Sequence, residues 1–423
     1  MAWTNIRDRA LRERAVQVIP NGMYGHESTV LLPSEYPQFF SNAKGSRLWD
    51  VDGNEYVDFM CAFGPNLLGY GHEPVERAAA AQQARGDVLT GPSEVMVELA
   101  EALVQQVDHA AWAMFCKNGT DATSLAIVAA RAQTGKRKIL YATGAYHGAA
   151  AWCTPRPAGI LPEDRAHLVY YQYNDLDSLA DAMRAHAGDI AGVIATPFLH
   201  EVFRDQADPQ EAFAKGARAL CDEHEAMLIL DEVRAGFRLA RGSSWEQFGV
   251  KPDLSAWGKV LANGHSLSAV LGSESARKGA SEIFVTGSFW FGATAMAAGL
   301  ATLREIRATD YLERTIETGS RLRAGLDQQA ASHGFAMRQT GPAQMPQIFF
   351  ENDPDFRIGY AWCAEALKRG AYLHPYHNMF LSGAHTTADI DATLQATDAA
   401  FEEVKKRSNS LEPHPVLMQL LSH

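Results

Sequence analysis

The residues with the most chemical potential are an acid and an amine, each closing a strand-like run. Met227-Leu-Ile-Leu230 is a short apolar stretch of the kind that forms a buried parallel strand, and Asp231 stands where that strand would end. In open α/β sheets, ligands bind outside the carboxyl ends of the strands. A carboxylate there is costly unless a cation pairs with it. Lys259 closes a second run, Pro252-Asp-Leu-Ser-Ala-Trp-Gly-Lys259. An acid and an amine at two strand ends suit a pyridoxal phosphate site, where the acid keeps the pyridine nitrogen protonated and the lysine forms the Schiff base. Taken alone, an ordinary ion pair is the plainer alternative.

Four further stretches could complete such a site. Trp112-Ala-Met-Phe-Cys116 is strand-like, Lys117-Asn-Gly-Thr120 is a turn, and 121–133 is an Ala- and Leu-rich helix. That turn sets backbone N–H groups and the Thr120 hydroxyl at a helix N-terminus, a natural phosphate cradle. An N-cap with nothing bound is its alternative. In Gly144-Ala-Tyr-His-Gly148, Tyr146 and His147 could lay an aromatic face on a flat ring, or fill a tight turn as buried aromatics. Met23-Tyr-Gly-His-Glu-Ser28 is irregular, either surface loop or pocket wall, and the glycines and aromatics of Phe63-Gly-Pro-Asn-Leu-Leu-Gly-Tyr-Gly-His72 permit close approach to a ligand.

The elements that must hold these residues follow from the pattern of apolar positions. A helix is expected over 4–18, and a hairpin over Ser46–Phe59 around the Asp52-Gly53 turn. Helices are expected over 73–85, 93–106 and 209–224. Further strands are expected at Lys138–Tyr141 and Ile190–Ala195. Strands alternating with helices predict an α/β fold with a mainly parallel sheet covered on both faces. A long helix over 293–307 and a closing helix over 388–405 frame a last α+β region. The expected division is an N-terminal segment, 1–60, joining a small domain; a large domain, 61–307; and a C-terminal small domain, 308–423.

Composition bounds the function. With 423 residues, 47% hydrophobic and 21% charged, the chain is an ordinary globular protein large enough for two domains. A formal charge of −12 argues against a nucleic-acid surface and gives no polybasic membrane patch. The N-terminus lacks the apolar core of a signal peptide. Five scattered cysteines without metal-type spacing read as reduced thiols of a cytoplasmic protein, with no metal expected.

With these pieces in order, the chain resembles class III aminotransferases, in the branch that includes glutamate-1-semialdehyde aminomutase. The resemblance spans about 7–405 and rests on Asn118-Gly-Thr-Asp-Ala122, Tyr146-His-Gly148, Asp231-Glu-Val-Arg-Ala-Gly-Phe-Arg238 and Pro252–Lys259. Met23–Thr29, Gly64–Tyr70, Met114–Gly119 and His374–Leu381 look, more narrowly, like bacterial fumonisin aminotransferases, which implies a long-chain amino-polyol donor and pyruvate as acceptor. The resemblance implies a fold-type I pyridoxal phosphate enzyme with a seven-stranded-type sheet, working as a homodimer with shared sites. It implies that Lys259 carries the cofactor and shuttles a proton. Asp231 would pair with the ring nitrogen, with Val233 on one ring face and Tyr146 on the other. Asn118, Gly119 and Thr120 would bind phosphate, with Ser288 reaching it from a second subunit. Tyr24, His26 and Phe63, with Trp290 and Tyr376, are candidates for the substrate wall. Arg234 or Arg238 is the candidate cation for the pyruvate carboxylate.

Three departures from the family pattern stand out. Thr196-Pro197 replaces the usual Glu-Pro, and Lys117-Asn-Gly-Thr replaces the usual Asn-Ser-Gly-Thr. Ser28 stands about where the aminomutase has an arginine for its substrate's carboxylate, which favours an amine without a neighbouring acid group. Two other readings remain open. One is transfer from another amine or an amino sugar, suggested by Asn263-Gly-His265; the other is a non-catalytic binding domain of the same fold.

Overall fold

The computed structural model describes residues 3–421. The chain forms two compact units. The larger comprises Gly64–Leu67 and His72–Leu312; the smaller comprises the chain up to Phe63, Leu68–Gly71 and the chain from Glu313 onward.

The larger unit is built on a seven-stranded sheet. Its order is Trp112–Cys116, Ser268–Gly272, Leu254–Trp257, Met227–Asp231, Ile190–Ala195, Lys138–Ala142, Leu168–Tyr171. Ser268–Gly272 runs antiparallel to both neighbours, and the remaining pairs are parallel. Ile190–Ala195 is buried at all six positions and Leu254–Trp257 at all four. Such burial on both faces is what a parallel sheet under helices requires. The helix Gly119–Thr134 meets the sheet through Ala122, Ala126, Ala129 and Ala130, whose small side chains allow close packing. Glu211–Glu223 approaches Leu176–Ala185 so closely that a Cβ on Gly216 would lie 2.5 Å from Leu176 Cδ2. Ile139, Leu140, Val193, Ile194, Leu228, Ile229 and Leu230 fill the centre of the core. Each such aliphatic stabilises the fold by about 1.5–3 kcal/mol through burial.

Register sets the strand ends level. Ala195 pairs with Leu230 and Asp231 with Ala256, so Thr196, Asp231 and Ala256 stand level, and Trp257 ends its strand one residue beyond. Lys259 follows two residues later.

The smaller unit carries a four-stranded sheet in the order Phe40–Lys44, Arg47–Asp50, Glu55–Asp58, Ala371–Tyr372. Gly53 turns the hairpin at φ +88°, a conformation glycine adopts without strain, while Asp50 Oδ1 accepts from the N–H groups of Asp52 and Asn54. The hairpin Met337–Thr340/Gln347–Phe350 and the helices Arg357–Leu367 and Thr387–Arg407 complete it, with the long helix that ends at His333. The N-terminal helix is shorter than its pattern suggests, Ile6–Ala15. Beyond Ala15 the bonds become a mixture of i→i−3 and i→i−4, and Asn21 and Gly22 take positive φ. Its anchor is polar: buried Asp8 accepts from Gln38 N and Phe39 N and pairs with Arg12 at 2.6 Å.

All five cysteines are buried and unbridged. Among the described residues no His/Cys/Asp/Glu cluster could hold a metal, and no helix is long and apolar enough to cross a membrane.

Candidate active site

At the carboxyl end of the larger unit's sheet lies a cavity of about 280 Å³. Asn118, Gly119, Thr120, Tyr146, His147, Asp231, Val233 and Lys259 all line it. The helix Gly119–Thr134 supplies one side. Asn118 caps it, its side-chain oxygen accepting from Asp121 N at 2.9 Å, so cap and cradle coexist in one turn. The N–H groups of Gly119 and Thr120 carry the positive end of the helix dipole. Thr123 Oγ1 donates to His147 O at 2.7 Å, tying this helix to the 144–148 turn. At Gly148 φ is +125°, and a Cβ there would fall on Thr120 Oγ1. A Cβ on Gly119 would lie 2.6 Å from Val233 Cγ1.

Asp231 is 5% exposed. Its Oδ2 lies 2.6 Å from His147 Nδ1, and its Oδ1 accepts from Val233 N at 3.1 Å. An ionised carboxylate can only accept, so Nδ1 carries the proton. His147 is thus the carboxylate's donor rather than a face for a flat ring. Its own ring is enclosed by Tyr141, edge-on at 4.9 Å, and by Trp152, stacked at 6.2 Å. The next residue, Glu232, is buried and accepts from Ser243 Oγ, Ser244 N and Ser244 Oγ. Desolvation by burial outweighs these three donors and pushes its pKa up to about 7. Lys259 sits at φ +39°, a left-handed conformation that a non-glycine residue holds only under constraint, and such strain clusters at functional sites.

The two candidate arginines separate. Arg234 lines the cavity; burial lowers its pKa to about 9 against the pull of Tyr146 and Asp231, so it is cationic at neutral pH. Arg238 is buried outside the cavity lining, and its guanidinium donates to the carbonyl of Gly64. Ser288 is exposed and off the cavity wall, in the segment that carries Phe284 and Phe289. Trp290 packs partly against the larger unit's core.

In the smaller unit Tyr24 is 68% exposed, while His26 and Phe63 meet at 5.7 Å. Phe63 also packs edge-on to His374 and His377, and Tyr376 against His374 at 4.4 Å. Ser28 caps the short turn Thr29–Leu31.

The cavity also contains residues the motifs did not single out: Phe198, His200 and Ser268. Phe198 and His200 follow Thr196-Pro197, where the usual acid is missing, and that departure was the one available signal. Thr196 Oγ1 and Ser268 Oγ are buried on the wall with no hydrogen-bond partner among the described residues.

These residues fit pyridoxal phosphate. A glycine-lined turn at the positive end of a 16-residue helix suits the phosphate, and a buried, oriented carboxylate suits the ring nitrogen. An amine lines the same cavity, with two buried hydroxyls in need of a partner.

Comparison with known proteins agrees. The class III aminotransferase family model matches residues 32–386. The aminopentol aminotransferase of Sphingopyxis macrogoltabida is 63% identical over 414 residues, covering 98% of each chain. The solved structure of the PLP internal aldimine form of the Sphingopyxis sp. MTA144 FumI protein superposes with a TM-score of 0.96 at 62% identity, over 97% of this chain and 99% of that one. The glutamate-1-semialdehyde 2,1-aminomutase of Syntrophobacter fumaroxidans is 33% identical, covering 95% of this chain and 99% of its own. The chain belongs to the class III aminotransferase family.

Proposed function

We propose that this protein is a pyridoxal phosphate-dependent aminotransferase that moves the amino group of a long-chain amino-polyol, of the hydrolysed fumonisin type, to pyruvate, giving a ketone and alanine. The observation that carries the reaction type is the convergence of Lys259, the Asp231–His147 pair and the Gly119 helix terminus on one cavity. The donor class is supported by the 63% identity to an aminopentol aminotransferase.

When bound, the cofactor supplies an electron sink for the substrate carbon that loses its proton. The chain's residues do the rest. Lys259 Nζ would hold the cofactor and, freed when the substrate amine takes its place, would carry the proton off the substrate carbon as general base and give it back as general acid. Asp231 holds the ring nitrogen protonated, and His147 Nδ1–H orients that carboxylate. The N–H groups of Gly119 and Thr120 bind the phosphate, with Asn118 holding the turn in shape. Val233 and Tyr146, both on the cavity wall, would flank the ring.

The working unit is a homodimer in which Ser288 of a second copy reaches the phosphate. Supporting this, Phe284 and Phe289 are 90% and 69% exposed on the segment around Ser288, which favours burial against a second copy. Sedimentation analysis of the holoenzyme checks it: a monomer at micromolar concentration refutes this part.

The principal experiment records the visible spectrum and adds hydrolysed fumonisin with pyruvate while following alanine. The expected result is a visible cofactor band, absent in Lys259→Ala, and alanine formation that falls roughly 10²–10⁴-fold in that variant. A band without alanine would disprove the donor assignment, and profiling other amines, amino sugars included, would then identify the donor. No band even after addition of pyridoxal phosphate would disprove the enzyme reading.

A further inference from the structure

Two unlike molecules must use one cavity. The amine donor has no acid group beside its nitrogen, whereas the acceptor carries a carboxylate one bond from its reacting carbonyl. Drawing that carboxylate out of water requires a cation on the wall. Among the described residues three Lys or Arg side chains line the cavity: Lys117, Arg234 and Lys259. Lys259 is the reacting amine. Lys117 Nζ donates to Ser266 O at 2.9 Å and lies 3.1 Å from where a Cβ on Gly292 would stand, with Asp87 nearby. Its charge is thus already engaged by a backbone carbonyl and an acid.

Arg234 is placed differently. It follows Asp231 by three residues on the turn leaving the sheet, and Tyr146 and Asp231 are its electrostatic neighbours. A guanidinium offers five N–H donors in a planar fork, so it can serve these neighbours and still grip a carboxylate through two parallel bonds. Arg238, one helical turn further, points its guanidinium at the Gly64 carbonyl.

We propose that Arg234 is the specificity-determining residue that receives the acceptor's carboxylate, and that it restricts the acceptors to 2-oxo acids rather than aldehydes or simple ketones. This rests on the aminotransferase reading above. Because the reaction runs in both directions, alanine is held by the same arginine.

The test mixes holoenzyme with alanine or with alaninamide, which lacks the charge, and follows the cofactor's visible band. In the wild type, half-saturation should require roughly 10- to 100-fold less alanine than alaninamide, the worth of a charge-assisted pair. In Arg234→Gln the two should coincide, and Arg234→Lys should fall between. Half-saturation by hydrolysed fumonisin should change far less than half-saturation by alanine, because that amine brings no carboxylate for the arginine to pair with. An alanine preference that survives in Arg234→Gln overturns the proposal, as does equal weakening of alanine and hydrolysed fumonisin. The band of each variant reports whether fold and cofactor are retained. If Arg234→Gln loses it, the wild type alone decides, since equal response to alanine and alaninamide also overturns the proposal. A wild type that responds to no amine overturns the aminotransferase reading itself.

Discussion

Glu232 offers a prediction whose size follows from the structure. Its carboxyl is fully buried beside Asp231 and takes three hydrogen bonds, two on Oε1 from Ser243 Oγ and Ser244 N, and one on Oε2 from Ser244 Oγ. Burial raises its pKa from 4.5 to about 7. Below the unfolded value the group is protonated in both states and its contribution to stability is fully present. As pH rises through about 7 the folded protein must carry a buried charge, and that contribution is lost. A shift of this size corresponds to about 3 kcal/mol. Glutamine mimics the protonated acid: its oxygen can keep both Oε1 bonds, and its amide N–H can donate to the Ser244 hydroxyl, which turns to accept. Glu232→Gln should therefore lie within about 1 kcal/mol of the wild type near pH 5 and exceed it by about 3 kcal/mol by pH 8. With an unfolding entropy of about 2.1 cal/mol/K per residue, that is a melting-temperature difference of roughly 3 °C for a chain this long. The assay is a series of thermal melts of holoenzyme and variant between pH 5 and 8. Parallel pH curves for the two proteins would show that the three donors, not burial, govern this carboxyl.

Two other perturbations test the site's construction. His147→Phe keeps an aromatic ring of similar size but removes the donor to Asp231 Oδ2, so cofactor affinity should fall roughly 10- to 100-fold, the worth of a hydrogen bond to a charged group; equilibrium titration of the apoprotein with pyridoxal phosphate measures it, and unchanged affinity would remove His147 from the design. Gly148→Ala puts a Cβ against Thr120 Oγ1 at a left-handed φ, which should cost about 1–3 kcal/mol of stability and loosen the cofactor; denaturant melts and cofactor release on dilution would reveal a harmless substitution if the turn could relax.

Much of this site is legible in the chain itself, because its parts are local. A buried parallel strand shows as an apolar run, so Met227–Leu230 announces both the strand and the acid at its end. The cradle is a strand, a turn and a helix in direct succession. What stays hidden depends on tertiary direction. Ser268–Gly272 has the same apolar pattern whichever way it runs, so its antiparallel sense is invisible until its neighbours are known. Arg234 and Arg238 lie four residues apart in one turn, and only the fold shows that one lines the cavity while the other binds a backbone carbonyl. His147 looks like a stacking aromatic until its 84-residue reach to Asp231 is seen. His200 lies in an irregular stretch without motif, and its place on the wall comes from the path of that loop alone.

The antiparallel strand also has a consequence for how the protein is made. Trp112–Cys116, which leads into the cradle, sits at the sheet's edge, and Ser268–Gly272 is the one strand it pairs with among the described residues. That partner emerges from the ribosome roughly 150 residues later, about 10–30 s at ordinary rates of synthesis. Throughout that interval the parallel strands between them can pair with one another, but the edge strand has nothing to dock on. Its apolar side chains, Trp112 and Phe115 among them, are then open to other chains, which makes the nascent protein most prone to aggregation while its future cofactor site is half built. Slower synthesis before residue 268 should lower the yield of soluble enzyme, whereas a pause once Gly272 has cleared the ribosome should not.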